Sequence, residues 1–170
     1  MTTPTAPATL TAERADLLET LAAHRYFLRV TVQGLSTEQA TRRTTASELT
    51  LAGIVKHVAA TEASWADFVV RGTAAMEQSP EEWAGQWGLQ PGETLESVLA
   101  HYDDVAARTD ELVRTVDLDS AHPLPEAPWF APGAVRSARR VFLHVVAETA
   151  QHAGHADILR ESLDGQKTMG

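Results

Sequence analysis

An all-α fold is what this sequence predicts: a four-helix bundle with long crossover connections. Three observations carry the expectation. Four stretches repeat apolar residues at helical spacing with no proline inside them. The chain holds 28 alanines, a strong helix former. No alternating strand pattern, internal repeat or heptad run competes with this periodicity.

In the first helix, residues 10–33, Leu10, Leu17, Leu21, Leu28 and Val32 form the apolar stripe, and Gly34 closes it. Residues 36–48 are polar and Thr-rich, a short helix with a turn or an ordered loop. Thr50 caps the second helix, which runs to Arg71 with Ile54, Val58, Trp65 and Phe68 inward and Gly72 beyond its end. A loop of about twenty residues follows, 73–93, with Trp83 and Trp87; long loops in compact folds are functional or carry short helices. Thr94 caps the third helix, which ends near Val116, with Leu95, Leu99, Tyr102, Ala106, Leu112 and Val113 facing inward. The linker 117–133 is rich in proline and carries Trp129 and Phe130. The fourth helix starts at Ala134 or Ser137 and runs to Leu163, where Gly165 stops it. The expected organisation is a frayed tail over 1–9, one four-helix domain over 10–165, and a loose tail over 166–170.

Composition narrows the function. A net charge of −9 gives the chain no general field for gripping nucleic acid. No stretch approaches the ~20 apolar residues of a membrane span, and the N-terminus has neither a basic segment nor an apolar signal core. A cytoplasmic protein is expected. There is no cysteine, which removes disulfides, cysteine-ligated zinc and a protein thiol nucleophile together.

Seven histidines are the other anomaly. At about 100° per residue, His144, Glu148, His152 and His155 fall within about 80° of one another on the fourth helix. Val141, Val145, Leu159 and Leu163 share that side, so the polar groups sit on the core-facing stripe. His57 points inward with Ile54, Val58, Trp65 and Phe68 on the second helix. Imidazoles and a carboxylate in a core are costly unless they are paired or bind a metal. Glu148 and His152, four apart, hold one ion from one helix, and a histidine from a second helix completes a face of two nitrogens and an oxygen. The bland alternative is a helix-surface pair beside a hydrogen-bonded core histidine. His155 and His144 flank the pair as groups that orient a ligand, or as rim residues. His24 is read as packing, and His101 and His122 as surface or loop positions.

His57 in Leu51-Ala-Gly-Ile-Val-Lys-His57-Val58, with Glu148-Thr-Ala-Gln-His152-Ala-Gly-His155-Ala-Asp-Ile-Leu-Arg160-Glu161, resembles the DinB-like metal-binding four-helix superfamily. The resemblance covers residues 10 to 165. Glu148 at the middle ligand position resembles the His-Glu-His subgroup, which holds the mycothiol-dependent maleylpyruvate isomerases and the mycothiol S-transferases. It implies His57, Glu148 and His152 as zinc ligands, with nickel or iron as other metals for the same donors. His155 stands where other members commonly carry a glutamine, so its role is not implied. The isomerases carry a further C-terminal domain and this sequence stops at Gly170, so the S-transferase branch is expected.

That branch implies an enzyme that activates a low-molecular-weight thiol, mycothiol, as a metal-bound thiolate for attack on an electrophile, a detoxification reaction. Partners are then the small thiol and the electrophile, with no nucleic acid or membrane; a homodimer is one assembly the resemblance allows. His155 or His144 would orient a ligand or move the thiol proton. Trp83, Trp87, Trp129 and Phe130 would roof the site, unless they only cap the bundle ends, and Arg139 or Arg140 would meet an anionic group on the thiol unless they face solvent. Two rivals keep the same ligands: a zinc hydrolase using bound hydroxide, and a non-catalytic metal-stabilised stress or dimerisation module.

Overall fold

The computed structural model describes residues 10–77 and 79–168, apart from the side chains of Pro80, Glu82 and Trp83. The tail expected over 1–9, the last two residues of the other tail, and the Trp83 side chain lie outside that description. In chain order the helices and strands are α1 (Ala12–Val30), α2 (Thr37–Ala40), α3 (Leu51–Arg71), α4 (Pro80–Gly85), α5 (Leu95–Thr115), β1 (Ala121–Pro123), β2 (Val135–Ser137) and α6 (Ala138–Asp164). No helix among the described residues is long and apolar enough to cross a membrane.

Each long helix begins at a hydroxyl. The side-chain oxygens of Thr11, Thr50, Thr94 and Ser137 accept from the backbone N–H groups of Arg14, Gly53, Ser97 and Arg140. Gly72 (φ 68°) ends α3 and Gly165 (φ 81°) ends α6, both in backbone conformations that a side chain resists. α1 is shorter than its apolar stripe. Beyond Val30 the N–H groups of Thr31, Val32 and Gln33 donate to carbonyls three residues back, so the last turn tightens and leaves the α-helical path.

The four long helices enclose two apolar clusters. One joins Leu28 of α1 to Ile54 and Val58 of α3, Tyr102 of α5 and Leu159 of α6. The other joins Leu17 and Leu21 to Trp65 and Phe68, Val113, and Val141 and Val145. These groupings fix direction. The start of α3, the start of α5 and the ends of α1 and α6 share one end of the bundle, so α3 and α5 run parallel. Packing joins α3 to both α5 and α6, and α1 to α6 and α5. Since α3 and α5 are parallel neighbours, the chain between them must travel back along about 30 Å of helix. Residues 72–94 make that return through a 3-10 turn, Gly72–Met76, and α4. This is the long crossover expected from sequence.

One element was not visible in the sequence. Within and beyond the proline-rich linker, β1 and β2 form a two-stranded antiparallel ladder, His122 opposite Arg136. Each strand has three residues, too few for alternation to register. The ladder closes the base of an excursion over residues 124–134, and that excursion carries Trp129 and Phe130.

Candidate metal centre

His57 projects from the middle of α3, Glu148 and His152 from α6, and α3 packs against α6. One ligand-capable atom from each of the three lies within 4.8 Å of those of the other two. His57 and His152 are buried, and their rings meet edge to face with centroids 4.9 Å apart. The indole of Trp87 stacks on the His57 ring at 3.8 Å and 14°. Gly53 permits this: a Cβ there would collide with the Trp87 carbonyl oxygen, so the return segment settles against α3 only over a glycine.

The electrostatics leave the cluster neutral on the imidazole side. Burial, then the neighbouring His152, pushes the His57 pKa down to about 4. Burial, then Arg136 and Arg140, pushes His144 down to about 4. Burial and then His155 lower His152. Glu148 sits between two of them, with Oε1 3.7 Å from His144 Nε2 and Oε2 3.7 Å from His152 Nε2. At that separation neither contact is a hydrogen bond, and beside neutral imidazoles neither is an ion pair. Nδ1 of His57 is buried with no hydrogen-bond partner, while its Nε2 stands 3.4 Å from Thr61 Oγ1. An inward histidine kept for core structure would have that nitrogen satisfied. Two neutral imidazoles, a carboxylate and an unpaired buried lone pair fit a divalent ion bound through nitrogen and oxygen.

The three groups lie on the wall of a cavity of about 850 Å³, inside the usual range for small-molecule sites. Trp87, Trp129 and Phe130 line it, so these aromatics do more than cap the ends of the bundle. Trp129 stands at the rim, 76% exposed. His144 lines the cavity, edge-on to Trp65. His155 is exposed and lies behind the site, its Nδ1 3.5 Å from Nδ1 of His152. His24 is half-buried beside Phe27 and His101 is exposed. His122 packs edge-on to Phe68, half-buried, rather than standing free on a loop.

Arg139 is a correction. Its guanidinium is taken up by Glu13 and Asp119, and it does not line the cavity. Helical geometry explains this, because residue 139 lies about 140° around α6 from His144. Arg140 is exposed. The cationic residue of the cavity is Arg136, on β2. Gln86, buried and hydrogen-bonded to His57, was also missed. Neither belongs to a motif, and both sit on short elements that apolar periodicity does not reveal.

One comparison with known families identifies the chain's family. The family model described as Mycothiol-S-transferase matches residues 16–165, and the chain belongs to that family. Among curated proteins, none matches the chain.

Proposed function

We propose that this member of the mycothiol S-transferase family is a metal-dependent enzyme that joins the sulfur of a low-molecular-weight thiol, mycothiol, to an electrophilic carbon. The observation that carries the reading is the buried, unpaired Nδ1 of His57 beside Glu148 and His152 on the wall of a roomy cavity. A divalent ion there, which we take as zinc, would supply the Lewis acidity that lowers the pKa of a thiol toward neutrality. The chain has no sulfur nucleophile of its own, so the thiol must be a cosubstrate.

In this reading the protein's side chains bind, orient and exclude water. Trp87 holds the His57 ring plane by stacking on it. His155 fixes His152 through the Nδ1 contact, which leaves Nε2 on the Glu148 side. Glu148 contributes the one negative charge of the ligand set. His144, inside the cavity and on the other side of Glu148, would be the group that receives the thiol proton. Trp129 and Phe130 shield an apolar electrophile from water. Conjugation of this kind serves detoxification, and the cytoplasm is where the thiol would be met.

The test pairs metal content with chemistry. Wild type should hold about one divalent ion per chain and conjugate the thiol to electrophiles, and His57→Ala and His152→Ala should lose both. Wild type without stoichiometric metal, and variants that fold and react like it, would remove the reading. Hydrolysis of activated esters without any thiol would replace it with a hydrolase.

A further inference from the structure

Arg136 is the cation on the cavity wall, and among the described residues none forms an ion pair with it. Its guanidinium carbon stands 4.7 Å from the ring centroid of Trp65 and 5.4 Å from that of Phe130. Nη1 is buried without a hydrogen-bond partner, and among the described residues no carboxylate lies within ion-pair distance. The contrast with other arginines is sharp: Arg25, Arg139 and Arg160 each bind carboxylates. Glu148 faces the same cavity and acts on Arg136 through its field without pairing.

A partly dehydrated guanidinium with a free N–H is costly unless something else completes it. The two aromatic rings flank the guanidinium, and the fork of N–H groups it carries suits a planar partner with two oxygens. A dianion would suit the site less, since Glu148 faces the cavity and Arg136 is, among the described residues, the one guanidinium on its wall, Arg140 acting only through its field. We propose that Arg136 is the anion-recognition group of this cavity, and that one of the two reactants reaches it as a carboxylate. This rests on the S-transferase reading for the identity of the reactants, but the binding itself does not require it.

The test therefore starts with binding alone. Benzoate and benzamide, matched in size and differing in charge, are titrated into the protein as purified, by calorimetry. Wild type should prefer benzoate by roughly tenfold or more. Arg136→Met should bind the two alike, and Arg136→Lys, which keeps the charge and loses the fork, should retain part of the preference. Equal binding of both probes by wild type would overturn the proposal, whether or not the variants fold. So would a benzoate preference that survives in folded Arg136→Met, since the carboxylate would then be held elsewhere.

A second arm identifies the carrier. Thiol transfer to iodoacetate and to iodoacetamide forms a C–S bond, breaks C–I, and releases iodide in both cases. If the electrophile carries the carboxylate, Arg136→Met loses roughly tenfold on iodoacetate alone. If the thiol carries it, the loss follows N-acetylcysteine and spares its amide. An equal effect of Arg136→Met on all four combinations would contradict selective recognition. Absence of transfer from metal-loaded wild type, with the benzoate preference intact, would sink the S-transferase reading and leave Arg136 as the anion site.

Discussion

The Arg25–Glu62–Asp110 set and the His57–Glu148–His152 set both put charge or polarity between the helices, and they are built in opposite ways. In the first, Arg25 of α1 reaches Glu62 of α3 and Asp110 of α5, with Nε–Oε2 at 3.2 Å and Nη1–Oδ1 at 2.8 Å. Glu62 is fully buried and a second guanidinium nitrogen bonds its other oxygen, so the carboxylate is satisfied on both sides. In the second, His57, Glu148 and His152 converge without completing one another, and His57 Nδ1 has no partner at all. A closed set of polar groups holds helices in register. An open set of the same size leaves bonding capacity for something the chain does not supply.

The contrast is broken most forcefully at Glu62. Glu62→Ala leaves the buried Arg25 with Asp110 as its remaining carboxylate partner and should cost about 3 kcal/mol, read by denaturant unfolding. His57→Leu should do much less: the metal-free chain loses the Gln86 hydrogen bond but no contact at Nδ1, and should be destabilised by only about 1 kcal/mol, while metal binding disappears. Equal destabilisation by the two substitutions would mean that both clusters are structural.

Removing the metal comes next. Chelation should lower the stability of loaded wild type by about 2.7 kcal/mol at an ion concentration a hundred times the Kd, and should leave His57→Leu unmoved. The readout is thermal unfolding with and without chelator.

Acid should then separate the regions again. His57 and His144 stay neutral in the fold down to about pH 4, whereas unfolded histidine protonates near its ordinary value of about 6.5. Between these values the unfolded chain binds more protons, so the stability of the metal-free protein falls as pH drops from about 6.5 toward 4. Unfolding curves across that window should show the fall in wild type and less of it in His144→Gln. A flat profile would contradict the neutral, buried placement of these rings.

The last expected effect is at Gly53. Gly53→Ala should displace the Trp87 carbonyl and loosen the stack on His57, costing about 1–3 kcal/mol and shifting tryptophan fluorescence. Unchanged emission with unchanged stability would show that Trp87 does not depend on the glycine.

The sequence made the helices and the three convergent residues legible for the same reason. Both are written in a 3.6-residue period, and His57, Glu148 and His152 fall on apolar stripes that have only one side to face. Hydroxyl caps at Thr50 and Thr94 and glycine stops at Gly72 and Gly165 fixed helix ends closely. What lay outside that period was not legible. Arg136 rides a three-residue strand defined by its pairing with His122, a contact between distant positions. Gln86 reaches the site because α3 and α5 run parallel, which local spacing does not encode. Arg139 has the charge for the role and lies near the site along the chain, but its angle around α6 turns it away from the cavity toward Glu13 and Asp119.

The central claim is that the open triad binds one divalent ion. Its most direct test is an equilibrium titration of zinc into chelator-treated wild type and Glu148→Ala, both checked for native helicity. The account predicts one ion per wild-type chain and an affinity weaker by at least about a hundredfold in the variant, since even outer-shell changes cost 10–100-fold. Wild type that binds no zinc, or a folded Glu148→Ala that binds it as tightly, would contradict the account.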